Sequence, residues 1–379
     1  MASSESAIVR RMFDVRAVRA DLPSTTASVF LNAGSFGPVP RVAADAMRAH
    51  VDRSLEHGRI GNAGFARMIA QLDRARAAFA GAIGADAEDV ALAHCTTDGL
   101  DQIVWGLSLA AGDEVLTTTH EHPGLTAPLE ELTRVRGVTV RAVDPADVAT
   151  SLGPRTKLVA VSHVLWTTGE TLDVAAIARA AKGSGAFVLV DGAQSVGAID
   201  VNPAALGVDA YTVSGQKWLC GPSGTGALWV RRSALSQIGT PWPWYLSKSR
   251  GPAGVSDWPG ARRLDATTCS MTSLEGAIAA LGWHARWARE GALAEAARRA
   301  EAMRRELRAL PNVRLTEVAR PSTLIAFAVE GEPANAVVAR LEAKGVLVRS
   351  IPDTGAVRVS VGFWNDDRDL ERLLHELRR

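Results

Sequence analysis

Short apolar runs alternate with amphipathic, alanine-rich stretches from about Asp89 to Val230, and polar turns stand just after the apolar runs. From Leu274 onward the pattern changes to long Ala/Arg/Glu-rich helices and then to a fresh alternation. Together these features predict an α/β protein: a mostly parallel sheet with helices on both faces, and a smaller C-terminal α+β domain. With 379 residues, 47% of them hydrophobic, the chain is long enough for both. The expected division is a segment 1–30 packing on the small domain, a large domain 31–265, and linking helices with the small domain over 266–379.

In chain order, a polar lead runs into Phe30-Leu-Asn-Ala-Gly-Ser-Phe-Gly-Pro-Val-Pro40, a short strand ending in a Gly/Pro turn that suits a loop entering a site. Apolar residues at three- and four-residue intervals predict helices from Arg41 to about His57 and from about Phe65 to Ile83. A strand over Asp89–His94 turns through Cys95-Thr96-Thr97-Asp98-Gly99 into a helix from Leu100 to Leu109. Hydroxyls and free N–H groups at such a helix start suit a phosphate, although an N-cap without a ligand has the same look. Strands follow at Glu114–Thr119, Val138–Val143, Leu158–Ser162 and Phe187–Val190, with a helix over Val174–Lys182. The C-terminal strands are expected near Thr323–Val329, Val346–Arg349 and Val357–Val361.

Ligands of parallel sheets bind beyond the C-terminal strand ends, where this sequence places His122, His163, Asp191 and Lys217. Lys217 follows an apolar strand and the turn Ser214-Gly215-Gln216, and Trp218, Leu219 and Gly221 flank it. Desolvation there lowers an amine's pKa and makes it nucleophilic, which suits a Schiff base. Asp191 ends the apolar run before it. A lysine for an aldehyde and a carboxylate for a ring nitrogen are what pyridoxal phosphate requires. Either residue alone reads as ordinary structure; the pair and its loops point to the cofactor. The loop Gly221–Gly226 lacks the P-loop pattern and precedes a strand, so it reads as a bend beside the lysine and not as a nucleotide site.

Composition excludes other classes. Net charge is +1, from 42 basic and 41 acidic residues, so no global field recruits nucleic acid or an acidic membrane. Arg298-Arg299 and Arg304-Arg305 read as solvated helix faces. Cys95, Cys220 and Cys269 have neither metal-ligand nor disulfide spacing, and no metal is expected. A reducing cytoplasm fits, with no export signal or membrane span expected.

Asp191-Gly-Ala-Gln194, Ser214-Gly-Gln-Lys217, Glu121-His122 and Thr96-Thr97, in this order, resemble the class V group of fold type I pyridoxal-phosphate enzymes, which includes cysteine desulfurases, isopenicillin N epimerases and aminotransferases. The resemblance covers nearly the whole chain and implies a seven-stranded sheet in the large domain. Within the group, Asn32-Ala-Gly-Ser-Phe-Gly-Pro, Glu121-His-Pro-Gly, Ser162-His-Val-Leu-Trp-Thr-Thr-Gly169 and the arginines Arg349 and Arg358 look most like the L-cysteine/cystine C–S lyases. The resemblance implies that Lys217 holds the cofactor and moves a proton, that Asp191 pairs with the ring nitrogen, and that His122 stacks on the ring. Gln194 would meet the phenolic oxygen. Thr96, Thr97, Ser214 and Gln216 would meet the phosphate, with Gln216 standing where many relatives have His. Thr268 would reach the phosphate of a neighbouring subunit in a homodimer, and Arg358 with Arg349 would clamp the substrate carboxylate.

Desulfurases take sulfur on a cysteine in the C-terminal region, and no cysteine follows Cys269 here. That disfavours a direct desulfurase and leaves β-elimination, transamination and epimerisation. Trp166 stands where desulfurases commonly carry Asn, and the C–S lyases have Trp there. The expected reaction is β-elimination at L-cystine or an S-substituted cysteine, giving pyruvate, ammonia and a thiol or persulfide, with an aminotransferase as the second reading. Pro241-Trp-Pro-Trp-Tyr245 suits either a pocket wall or an aromatic packing cluster. A cofactor-binding protein without catalysis is disfavoured, because the full set of catalytic residue types is present.

Overall fold

A computed structural model describes residues 13–252 and 254–378. The helices α1 (Val15–Ala20) and α2 (Ser24–Ala27) lead to the short strand β1 (Val29–Phe30), then to α3 (Arg41–His57) and α4 (Gly61–Ala82). Next come β2 (Val90–Ala93), α5 (Thr96–Gly106), β3 (Glu114–Thr118), α6 (Pro123–Arg136), β4 (Thr139–Val143), β5 (Thr156–Ser162) and α7 (Val174–Ser184). The large sheet is completed by β6 (Phe187–Asp191), β7 (Ala210–Ser214) after the short α8 (Pro203–Leu206), and β8 (Gly226–Val230). Its order is β2-β8-β7-β6-β5-β3-β4. The links from β4 through β7 are parallel, whereas β8 runs antiparallel to both of its neighbours.

The central strands are buried on both faces, which explains why they read as continuous apolar runs with no alternation. One core covers each face: Phe79, Val161, Val190 and Tyr211 on one, Leu100, Leu125, Leu158 and Leu189 on the other. Each fully buried aliphatic side chain contributes about 1.5–3 kcal/mol. Helix ends are written in the sequence. Asp173 caps α7 by accepting from Ala176 N–H, and Gly185 ends it in the left-handed region.

An exposed hairpin of β9 (Lys248–Gly251) and β10 (Gly254–Asp257) precedes α9 (Met271–Arg289) and α10 (Ala292–Arg308). Helix α9 packs on α3 and α4. The second sheet uses β11 (Val313–Leu315), β12 (Leu324–Val329), β14 (Arg349–Ile351) and β15 (Ala356–Ser360), in the order β11-β12-β15-β14. Helix α11 (Ala334–Glu342) and the two-residue β13 (Val346–Leu347) lie between β12 and β14, and α12 (Asp367–Leu377) closes the chain behind a reciprocal Asp366/Asp369 capping box. Strand β13 pairs in parallel with β1.

The structure departs from the sequence expectations in several places. The helix expected from Leu100 starts at Thr96, so the two threonines form its first turn. The expected strand 346–349 is two strands that pair with different partners. Arg298 and Arg305 are exposed, but Arg299 and Arg304 are buried. Arg304 donates to the carbonyls of Ser322 (2.8 Å) and Leu324 (2.6 Å), and Arg299 pairs with Glu295 (2.8 Å). A long side chain with an apolar stem can thus serve a helix's inner face.

Of the expected lead segment 1–30, residues 1–12 lie outside the described residues. From α1, Arg19 reaches Trp364 O (3.1 Å) and Asp369 Oδ2 (2.7 Å), tying the lead to α12. Among the described residues no helix is long and apolar enough to cross a membrane, and no cluster of His, Cys, Asp or Glu is arranged to hold a metal ion. The three cysteines are free.

Candidate active site

A cavity of about 240 Å³ opens where β5, β6 and β7 end and α5 begins. Thr96, Thr97, His122, Trp166, Asp191, Gln194, Gln216, Lys217, Arg349 and Arg358 all line it. Ser214 stands one layer back and donates to Gln216 Oε1 (2.9 Å). Thr268 is not in this wall. It is exposed in a separate groove of about 730 Å³ with Trp244, Tyr245 and His50. The Trp-rich segment borders that groove, away from Lys217.

Lys217 sits in a tightly wrapped loop: Gly215 N–H donates to Thr225 O (2.9 Å), Gly221 N–H to Gly215 O (2.8 Å) and Gly37 N–H to Gln216 O (2.8 Å). A Cβ on Gly37 would fall 2.0 Å from Lys217 O, so glycine is required where the Asn32–Gly37 loop crosses the lysine. Loss of water around the amine lowers its pKa to about 8; Asp191 opposes the fall, while Arg358 and Arg349 add to it. Asp191, at the end of β6, accepts from Ala193 N–H (2.9 Å) and the Thr212 hydroxyl (3.3 Å). Burial raises its pKa, and the Lys217 ammonium and these donors pull it back.

His122 is the N-cap of α6 and accepts at Nδ1 from Gly124 N–H (3.0 Å), which assigns its proton to Nε2. Its ring stands edge-on to Trp166, with centroids 4.9 Å apart. Burial, then Lys217 and the two arginines, lower its pKa to about 4, so it is neutral at neutral pH. Gln194 is held at both ends of its amide: Oε1 accepts from Trp218 Nε1 (2.9 Å) and Nε2 donates to Gly34 O (2.9 Å). One Nε2 hydrogen is left for a ligand acceptor.

Arg349 and Arg358 face each other across β14 and β15, an arrangement of like charges that costs stability. Neither pairs with a carboxylate among the described residues. Burial, then Arg349, hold the Arg358 pKa down at about 9. Arg358 Nη1 donates to Trp166 O (3.3 Å), and Arg349 lies over the Trp166 ring at 5.8 Å.

Two residues, Glu121 and Ser35, carry more of the site than sequence reasoning assigned them, and His163 carries less. Glu121, known only as part of a motif, is fully buried and accepts from the Thr118 hydroxyl (2.7 Å), the Ser162 amide (3.0 Å) and the Ser162 hydroxyl (2.5 Å). Burial raises its pKa to about 7. It fixes the residue before His122 to the strand beside Asp191. His163 does not line the cavity; its Nδ1 meets the Tyr211 hydroxyl (2.8 Å) behind Asp191. Ser35 bridges the two arginines. A buried acid in Glu-His-Pro was a signal for Glu121; nothing local marks Ser35.

The cavity therefore offers a desolvated amine opposite a buried carboxyl, hydroxyls at a helix start, a neutral aromatic ring, and two guanidiniums awaiting an anion. That donor set fits a group with an aldehyde, a protonatable ring nitrogen and a phosphate.

The profile described as "Aminotransferase class-V" matches residues 30–373. The solved structure of a lysine-to-alanine variant of C-DES, with glycine covalently linked to its pyridoxal-phosphate cofactor, superposes with a TM-score of 0.91 at 30% identity, covering 95% of this chain and 98% of that one. C-DES in complex with cysteine persulfide, the product of that cystine C–S lyase, superposes with a TM-score of 0.89 at 30% identity, covering 94% and 99%. A probable cysteine desulfurase of Methanothermobacter thermautotrophicus is 32% identical over 58% of this chain and 57% of its own length. Isopenicillin N epimerase of Streptomyces clavuligerus is 31% identical over 62% of this chain and 64% of its own. The chain thus spans less than two thirds of these two curated relatives.

Proposed function

Because the chain belongs to the class-V aminotransferase family, we propose that it is a pyridoxal-phosphate enzyme that cleaves the carbon–sulfur bond of L-cystine or an S-substituted cysteine by β-elimination. The observation that carries this reading is the placing of Lys217 and Asp191 on one small cavity with two arginines that have no carboxylate of their own. Bound there, pyridoxal phosphate supplies an electron sink for negative charge at a substrate's α-carbon.

The chain's own residues do the rest. Lys217 would hold the cofactor by its aldehyde carbon, and whenever Nζ is released as a free amine its pKa of about 8 leaves a neutral fraction at physiological pH able to take the α-proton. Asp191 keeps the ring nitrogen protonated. His122, neutral and planar, would cover one ring face, and Gln194 would offer its free Nε2 hydrogen to the phenolic oxygen. Thr96 and Thr97, with the first N–H groups of α5 and support from Ser214 and Gln216, receive the phosphate. Arg358 and Arg349 bind the substrate carboxylate, and Trp166 closes the wall beside them.

The large domain is taken as 31–265 and the small one as 266–379. The active protein is taken as a cytoplasmic homodimer in which Thr268 serves the partner's phosphate. Exposed Leu55, Ile60 and Tyr245 around the second groove support a self-associating face.

The test is incubation of the purified protein with cystine, S-substituted cysteines, and alanine plus an oxo acid. Pyruvate and ammonia formed without an acceptor are expected. Strict dependence on an oxo acid would replace the lyase with an aminotransferase. Inversion at the α-carbon without pyruvate would favour the epimerase reading, which the likeness to isopenicillin N epimerase supports.

A further inference from the structure

We propose that Ser35 is a positioning residue whose hydroxyl sets Arg349 and Arg358 as one carboxylate-binding unit. A hydroxyl has one proton to give and two lone pairs to offer. Ser35 gives its proton to Asn32 Oδ1 at 2.8 Å. Both lone pairs are thereby turned to the cations: Arg349 Nη1 donates at 3.2 Å and Arg358 Nη2 at 3.3 Å. One oxygen thus holds two guanidiniums that would otherwise repel.

The loop beneath is built for this. Asn32 bridges to Ser360, the last residue of β15, and Gly34 N–H donates to the Ser360 hydroxyl (3.2 Å), fixing Ser35 against the strand that carries Arg358. A Cβ on Gly34 would come within 2.8 Å of Arg358 Nη2, so glycine lets the loop lie directly on the guanidinium. Tied to each other through one oxygen, the two forks face the cavity at a fixed spacing. A ligand with two carboxylates, or one carboxylate shared by both forks, finds them already aligned. This inference rests on reading the arginine pair as the substrate-carboxylate clamp.

The test titrates malonate, with acetate as a single-carboxylate control, against the cofactor-loaded protein. Melting temperature and the cofactor's visible absorbance are read for wild type, Ser35→Ala, Ser35→Cys and Ser35→Thr. Malonate affinity is expected to fall about tenfold in the Ala and Cys variants and to stay within about twofold of wild type in Thr. The KM for the sulfur amino acid should follow the same order while kcat moves little, because binding is weakened and proton transfer is not. Equal malonate affinity in all four proteins, or a Thr variant as weak as Ala, overturns the proposal; three substitutions keep the comparison decisive if one does not fold. A wild-type protein that takes up no cofactor would count against the proposed function. The malonate series read by melting temperature alone would then still decide the role of Ser35.

Discussion

Replacing Arg349 with Met in the cofactor-free protein tests whether the cavity sets the reactivity of Lys217. In the wild type the amine's pKa falls from 10.5 to about 8, chiefly through lost hydration, with Arg358 and Arg349 adding to the fall. At pH 7 an amine of pKa about 8 is roughly one-tenth neutral, against about 0.03% at 10.5, a gain on the order of 300-fold in the reactive form. Removing the Arg349 charge must raise the pKa, and each unit of rise cuts the neutral fraction at pH 7 about tenfold. The assay is reductive methylation with formaldehyde, a small neutral aldehyde, with labelling of Lys217 followed by peptide mass spectrometry from pH 6 to 10. The wild-type rate should climb and level off above about pH 8, because the amine is then already neutral. The Arg349→Met rate at pH 7 should be slower and its plateau should lie at higher pH. A wild-type rate that still climbs steeply at pH 10, or a faster variant, would refute the argument that the cavity's charges govern this amine.

Arg76→Ala should lower the urea-unfolding free energy by about 3–5 kcal/mol, because it strands Asp265 in a buried pair whose bonds are 2.7 and 2.8 Å long; unchanged stability would show that the pair is dispensable. With His122 neutral above about pH 4, kcat/KM should show no histidine inflection near 6.5, and His122→Phe should retain cofactor where His122→Ala releases it on dialysis. Trp166→Asn removes the ring under Arg349, a contact worth about 1 kcal/mol, so KM should rise roughly fivefold in steady-state assays.

The parallel sheet was legible because buried strands must be apolar along their whole length and the helices between them must be amphipathic. Lys217 and Asp191 stood out only as a pair at neighbouring strand ends, since either alone reads as ordinary structure, and both line the same cavity. The antiparallel course of β8 was hidden, since an apolar strand reads the same in either direction. Thr268 was assigned to the phosphate of a neighbouring subunit, a role that one chain does not test; in this chain it lines the second groove. Arg299 and Arg304 misled because charge density along a helix does not tell which arginines turn inward, Arg304 to two carbonyls and Arg299 to Glu295. Ser35 was out of reach for the plainest reason: its meaning lies in two partners more than 300 residues away.

That separation bears on how the protein is born. Strand β1 waits for β13, and Ser35 meets its arginines across 314 and 323 residues. On the ribosome the middle of the chain can build its sheet, with lysine and aspartate in place, well before the last strands emerge. If the arginine pair is the carboxylate clamp proposed above, such a nascent protein would lack that clamp until residues 349 and 358 have emerged. A frameshift or clip ahead of residue 349 would remove both arginines from the cavity wall and leave Ser35 without either partner.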